Sequence, residues 1–373
     1  MDGKLHHARP LAGLAPRLRC LEHSLLWLRR LQHCVPTRSG RGKAPDAPAH
    51  RHHPRSPPTR KADRSRLEAA ATRWPSSLLT RPLVALTTVD SIDELLVPIQ
   101  EAAAELSLPT YTLDTFAGWT PRTSFHLIIA VSFGLFVPPR LLSRATFGGL
   151  NVHPSLLPDL KGPAPIQHAI WKRRPYTGVS IQTLHPHHFD QGIILAQTSA
   201  PGIEIPSRMT AEHLESRLAT AGADMLIHVL QSRKYAPPLQ DVGWYTHSNG
   251  LTEYAPKITK QDRFIDFRTS KLTDILAVQD ALGDPWCLLP DGERVILHSV
   301  VDSGHIDPTT HHAPGIWIEE QDHCPVIRDV NGQIGVIMES TIAGGRRRNG
   351  NAALVQKLAK KQLPGLQIKK QCK

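Results

Sequence analysis

Between residues 127 and 230 short aliphatic runs alternate with proline-opened amphipathic stretches, and this alternation restricts the fold more than any other feature. Leu127-Ile-Ile-Ala-Val131 is a continuous apolar run, the pattern of a strand covered on both faces. It stops at the turn Ser132-Phe133-Gly134. Gly149 to His153 reads as a second strand, ended by Pro154, and Pro165 to Trp171 as a helix opened by proline. Val179 to Leu184 and Ile193 to Thr198 are further strands around the loop His185 to Gly192. A helix follows over roughly Thr210 to Leu230, its stripe formed by Leu214, Leu218, Ala221, Met225 and Val229. Upstream, Pro98 suits the first turn of a helix running to about Leu106. Strands alternating with helices predict an α/β, Rossmann-like domain with a mostly parallel sheet.

Past Tyr254 the pattern turns to β. Arg294 to Val301, Gly315 to Glu319, Pro325 to Val330 and Gln333 to Ile342 are β-rich, with Asp291-Gly292 and Asn331-Gly332 as hairpin signals. A small antiparallel β-barrel is expected, followed by a cationic tail. The expected organisation is therefore a leader over 1–80, a catalytic domain over 81–235, a linker over 236–260 and the barrel domain over 261–373.

Charge is unevenly placed. The 373 residues carry a formal net charge of +11, but residues 1–74 alone balance at +11, residues 341–373 at +9, and the body between them at −9. An acidic body with two cationic ends differs from a generic nucleic-acid coat. The leader holds a short amphipathic stretch, Leu21 to Leu31, and a Pro/Arg/His-rich tract from Pro36 to Pro58 that is expected to be disordered. Its Arg-rich character is compatible with an organellar transit peptide. Five cysteines, Cys20, Cys34, Cys287, Cys324 and Cys372, include no Cys-x-x-Cys pair and support neither a disulfide framework nor a zinc ribbon. No apolar run approaches the roughly 20 residues needed to span a bilayer, so no membrane partner is expected.

Chemistry concentrates at Asn151-Val-His153 and Asp190. On an extended strand Asn151 and His153 project from one face, at the C-terminal edge where open α/β sheets bind ligands. Asp190, in the loop before the next strand, is within reach to hold or charge His153. Asn for an oxyanion, His for proton traffic and Asp to tune the His make a workable set for acyl transfer. A capped strand end explains the same spacing without catalysis. His185, His187 and His188 crowd one short loop, which is poor geometry for a tetrahedral metal, and no metal is expected.

Asn151 to Pro158 resembles the signature of the folate-dependent formyltransferases, a group that includes glycinamide ribonucleotide formyltransferase, formyltetrahydrofolate deformylase and methionyl-tRNA formyltransferase. Gly162 to Gln167, Thr177 to Ile181 and Tyr254 to Lys260 followed by Ile265-Asp266 resemble the methionyl-tRNA branch. The resemblance implies that Asn151, His153 and Asp190 are catalytic. It places Phe133, Gly134 and Leu135, and the turn Ser155, Leu156, Leu157 and Pro158, against the folate. It implies an OB-like C-terminal domain, 10-formyltetrahydrofolate as co-substrate, initiator methionyl-tRNA as partner, a monomer, and a mitochondrial (matrix) setting. Lys161, Lys172, Arg173, Arg174, Arg346 to Arg348, Lys357, Lys360, Lys361, Lys369 and Lys370 are candidate phosphate contacts. Formyl transfer to a small amine, and tRNA or folate binding without turnover, are the competing readings.

Overall fold

A computed structural model of the chain describes residues 85–88, 98–247, 250, 252–307, 313–319 and 323–362. The leader through Pro82, with Cys20, Cys34 and the Leu21 to Leu31 stretch, lies outside the described residues, as do Lys369, Lys370 and Cys372. The chain divides into two compact units. The first contains the described residues up to His153, Val179–Gln197 and Leu218–Gly243. The second contains Pro154–Gly178, Thr198–Arg217 and the chain from Trp244 onward.

In the first unit β1 (Ala85–Thr88) pairs in parallel with β2 (Thr110–Leu113), and α1 (Pro98–Glu105) connects them, opened by the expected proline. A second sheet has the order β3-β4-β6-β7: β3 (Ile128–Val131), β4 (Gly149–His153), β6 (Ser180–Thr183) and β7 (Ile194–Gln197). Between β3 and β4 the short helix α2 (Pro139–Leu142) packs Leu141 and Leu142 into a cluster with Leu113, Phe116 and Val137.

The expectation of a mostly parallel sheet is corrected here. Only the β3–β4 pairing is parallel, whereas β4–β6 and β6–β7 are antiparallel, so the sheet is mixed. Two connections explain this. A parallel neighbour needs a crossover of a dozen or more residues, usually helical, and the ten-residue loop from Leu184 to Ile193 has none. The helix that the sequence suggests as a crossover, α3 (Pro165–Trp171), belongs to the second unit and packs against α5 there.

In the second unit β5 (Tyr176–Thr177) pairs with β8 (Ile203–Glu204). The helix α4 (Ala211–Gln231) carries the chain from one unit to the other. Five antiparallel strands follow in the order β11-β12-β13-β10-β9. They are β9 (Trp286–Leu288), β10 (Arg294–Ile306), β11 (Gly315–Ile318), β12 (Pro325–Arg328) and β13 (Gln333–Ile342). No ladder joins β9 to β11 among the described residues, so the sheet is a half-barrel rather than a closed barrel. Two helices that the β-rich pattern masks cover it. α5 (Leu272–Leu282) buries Leu272, Ile275, Leu276 and Val278 and α6 (Asn351–Gln362) buries Leu354 and Leu358, in one cluster with Val295, Leu297, Ile327 and Ile337. The β12–β13 hairpin turns at Asn331-Gly332 as expected, with Gly332 at φ +80. The fully buried Asp329 organises that turn: Oδ1 accepts from Asn331 N (2.7 Å) and Gln333 N (2.9 Å), while Oδ2 accepts from Leu272 N (2.8 Å) at the start of α5.

His168 of α3 is buried, and its ring bonds the carbonyl of Pro256 through Nε2 at 3.0 Å, which makes Nε2 the donor. Nδ1 is buried without a partner. Burial therefore holds the imidazole below the ordinary histidine range, against the opposing hydrogen bond to Pro256. Below about pH 6.5 the unfolded chain then binds a proton that the fold resists, so stability is expected to fall as the pH drops through that range. Thermal unfolding from pH 7.5 to 5.5 checks this: the fall should be shallower in His168→Gln, and an equal slope in both proteins would refute it.

Candidate active site

The strand β4 alternates its side chains. Leu150 and Val152 enter the core, and Asn151 and His153 occupy the opposite face. Across the antiparallel ladder Asn151 faces Gln182 and His153 faces Ser180. The same two-residue period on β6 thus adds two polar residues to the same stripe. Gln182 and Ser180 are both buried, and Gln197 on β7 donates from Nε2 to Ser180 Oγ at 2.9 Å.

Asp190 meets this stripe from the β6–β7 loop. Its Oδ1 accepts from Asn151 Nδ2 at 3.2 Å and from Gln182 Nε2 at 3.0 Å, and lies 3.3 Å from His153 Nδ1. The side chains of His153 and Asp190 are 6% and 7% exposed, so the pair is screened from bulk water. With Nδ1 turned to the carboxylate, proton exchange by the ring falls to Nε2. Asn151 spends one of its two N–H groups on Asp190 and keeps the second for an incoming acceptor.

Gln182 is the residue that sequence reasoning missed. Its Oε1 accepts from Gly192 N at 3.0 Å, which fixes the amide so that Nε2 faces Asp190. The signal was present as polar residues at period two, Ser180 and Gln182, on either side of Ile181. The loop is stitched at its base by Ile193 N to Thr183 Oγ1 (2.9 Å) and Thr183 N to Ile193 O (2.9 Å). A Cβ at Gly192 would stand 1.7 Å from the Thr183 carbonyl oxygen, an atom that cannot swing aside. Gly192→Ala is therefore expected to pry the loop from β6 and cost about 1–3 kcal/mol of stability. Denaturant unfolding at an unchanged m-value measures it, and wild-type stability would contradict it.

The histidines of the loop have a local role. His185 Nδ1 accepts from the backbone N–H of both His187 and His188 at 3.1 Å, and the His185 and His188 rings stack at 5.0 Å. Their crowding thus organises the turn that delivers Phe189 and Asp190.

Phe133, Gly134 and Leu135 lie in the loop after β3. Phe133 and Leu135 are half-buried on the Leu113–Phe116–Val137 cluster, and Gly134 is exposed at φ +76. The neighbouring Phe136 packs edge-on against Phe189 with ring centroids 5.1 Å apart, bringing this loop to the one that carries Asp190. Phe189 is 59% exposed, a large apolar surface left beside the polar set.

The turn Ser155 to Pro158 falls in the second unit. Ser155, Leu156 and Leu157 are buried there, and Ser155 Oγ donates to Asp159 O at 2.6 Å. A ligand at this turn would meet backbone and Pro158 rather than these three side chains. Downstream, Asp159 is held by Arg174 through Nε to Oδ2 (3.2 Å) and Nη2 to Oδ1 (3.3 Å), with both side chains less than a tenth exposed. Arg174 also reaches Glu253 Oε1 at 3.1 Å, Lys172 pairs with Glu253, and Glu253 N donates to Asp159 Oδ1 at 2.9 Å. Arg173 pairs with Asp274. Of the four cations near the signature, three are thus held by acids of the chain itself, and Arg174 is buried. Arg174 is corrected from a candidate phosphate contact to a structural ion pair, while Lys172 and Arg173 stay partly exposed beside their acids. In the C-terminal region Lys357 is likewise taken by Asp291 and Glu293, while Arg346 and Arg347 are exposed.

An amide donor, an imidazole and a carboxylate joined by hydrogen bonds at the end of a strand, with an apolar surface beside them, suit the transfer of an acyl group between nitrogens. Residues 118–230 match the protein family described as Formyl transferase. The methionyl-tRNA formyltransferase of Bifidobacterium adolescentis is 31% identical over 229 residues, covering 58% of this chain and 68% of that protein. The chain belongs to the formyl transferase family. The mitochondrial methionyl-tRNA formyltransferases of Mus musculus and Saccharomyces cerevisiae are 33% and 39% identical over 200 and 178 residues, which is 53% and 43% of this chain. The chain spans about half the length of these mitochondrial relatives, 49% and 43%. Among solved structures, HypX from Aquifex aeolicus aligns with a TM-score of 0.49 at 14% identity, over 75% of this chain and 50% of that one.

Proposed function

We propose that this chain transfers a formyl group from 10-formyltetrahydrofolate to the α-amine of methionyl-tRNA, in mitochondria. The observation that carries the reading is the convergence of Asn151, Gln182 and His153 on one carboxylate oxygen of Asp190. The names of the relatives support the acceptor, and those from Mus musculus and Saccharomyces cerevisiae the location.

The folate supplies the formyl carbon as an electrophile, and the rest of the work falls to the chain. The free N–H of Asn151 and a protonated His153 donate to the formyl oxygen as it gains negative charge during attack by the amine. Each such donor is worth about 3–4 kcal/mol when preorganised in a screened site. Asp190 anchors both donors and accepts, directly or through water, the proton shed by the attacking nitrogen, and returns it to N10 as the C–N10 bond breaks and tetrahydrofolate leaves. Gln182 keeps the carboxylate facing the strand. The fit to a flat, hydrogen-bonding pterin rests on the exposed backbone at Gly134, flanked by half-buried Phe133 and Leu135 and the exposed Phe189. The family resemblance adds the Ser155 to Pro158 turn to the folate contacts and an OB-like character to the C-terminal sheet.

The test is direct. The purified chain, given 10-formyltetrahydrofolate and methionyl-tRNA, should yield formylmethionyl-tRNA. Turnover only with small amines, or tRNA binding without product, would overturn the reading.

A further inference from the structure

The loop between β6 and β7 holds Asp190 at φ +52, in the left-handed region that is uncommon for any residue but glycine. Its C-terminal half is tied to β6 through Gly192 and Ile193. Its N-terminal half is tied to one ring. Among the described residues, the side-chain hydrogen bonds of 185–189 are the two that His185 Nδ1 accepts from His187 N and His188 N, both at 3.1 Å. Both N–H groups converge on the single in-plane lone pair of Nδ1. An imidazole nitrogen that accepts carries no hydrogen, so the turn admits one ring state, neutral with the proton on Nε2. The imidazolium carries hydrogen on both nitrogens and would set its own N–H against two others.

We infer that His185 is a positioning residue for formyl transfer, acting through Asp190, and that the neutral ring alone fills this role. A proton on Nδ1 breaks both bonds of the turn and loosens the carboxylate from Asn151, Gln182 and His153. The same proton sets a positive charge beside the His188 ring, stacked at 5.0 Å, and the His187 ring at 6.1 Å. Asp190, with His153 behind it, is the acid of the loop and attracts that charge, but the attraction does not restore bonds to the backbone. The strands β6 and β7 carry no ionisable side chain, and neither does the segment Ser132 to Val137 that meets the loop through Phe136. Beneath Leu184, α2 brings Arg140, whose guanidinium is spent on the carbonyls of Phe116 and Trp119. Asp241, beside the Val242 N–H that bonds Ile194 O, gives its carboxylate to Gly243 N. The rate effect rests on the formyl-transfer reading above, whereas the ring state of His185 does not.

Two measurements on the full chain test the role. Nitrogen-15 spectra of the histidine rings at pH 8, assigned by the signal lost in His185→Asn, should show His185 with its proton on Nε2. On acidification the amide signals of His187 and His188 should move together with that ring, and should not do so in His185→Asn. A proton on Nδ1 at pH 8 would overturn the role even in an active enzyme. The second measurement is the single-turnover rate from pH 8 to 5.5. His185→Asn keeps an oxygen that accepts backbone N–H two residues on at every pH, so it should match wild type within about threefold at pH 8. Wild type should then fall roughly tenfold behind it by pH 5.5, as two hydrogen bonds are lost. The titrations of His153 and His168 are common to both proteins and cancel in this ratio. His185→Ala should be about three- to tenfold slower than wild type at pH 8, with tRNA affinity unchanged. His188→Gln keeps the backbone donor and should keep the wild-type profile. A ratio of wild type to His185→Asn that stays constant with pH, or an acid loss abolished by His188→Gln instead, would count against His185. If no protein transfers formyl groups, the functional reading fails, and the ring spectra still decide the state of His185.

Discussion

His153→Ala is expected to lower the formylation rate at saturating substrates by about 10²–10⁴-fold, with tRNA affinity nearly unchanged. The variant removes a donor to the developing oxyanion, one of the two that Asp190 anchors. It also takes one partner from Asp190, which keeps the amides of Asn151 and Gln182. Asp190→Asn should cost about 10²–10³-fold for a different reason. The isosteric amide still fills the space but cannot serve as the common acceptor for three donors, nor take the proton of the attacking amine. Single-turnover rates measured beside equilibrium tRNA binding separate chemistry from docking. If either variant turned over within threefold of wild type, the roles assigned to this set would be wrong. Gln182→Leu should give a smaller loss, because it only steers the carboxylate.

The second large effect is on folding. Arg174→Met leaves Asp159 buried with its bidentate partner gone, and breaking one half of a buried pair costs about 3–5 kcal/mol. For a chain of this size that is a fall in melting temperature of roughly 4–6 °C. Burial already pushes the Asp159 carboxyl above its ordinary range, against the lowering pull of Arg174. Without the arginine the carboxyl is pushed higher still, and the folded state takes up a proton more readily than the unfolded chain. The deficit of Arg174→Met should therefore be largest near pH 7 and shrink as the pH falls toward the carboxylate range. The double variant Arg174→Met/Asp159→Asn should recover much of the loss, since the neutral amide keeps an oxygen for Glu253 N. A single variant as stable as wild type, or a deficit that grows on acidification, would refute this account.

Both sets of residues bear on what could be read from the chain in one dimension. Asn151 and His153 are two residues apart on a strand, and strand periodicity alone puts them on one face. The four strands of the β3-β4-β6-β7 sheet and the helices α1, α3 and α4 were legible for the same reason, because prolines and turns bound short segments of clear period, whereas the short elements β2, α2, β5 and β8 were not. α5 was not, since its apolar positions merge with the β-rich runs beside it, and α6 was not, since its lysines read as a cationic tail; only packing on the half-barrel reveals either. Arg174 illustrates the opposite failure. Fifteen residues from Asp159, in a Lys-Arg-Arg cluster, it looks like a surface cation, and nothing local announces that Asp159 will be buried against it and Glu253 will reach it.

The sequence by itself determined most elements of the catalytic unit, the Asn-x-His face and the resemblance to the family, because these depend on spacing along the chain. Tertiary structure alone decided three things. It made the sheet mixed, because α3 packs in the other unit and the β6–β7 loop is too short to cross over. It recruited Gln182, because antiparallel register sets that residue opposite Asn151. And it paired Arg174, Lys172 and Arg173 with acids distant in the chain, burying Arg174 while Arg173 stays half exposed.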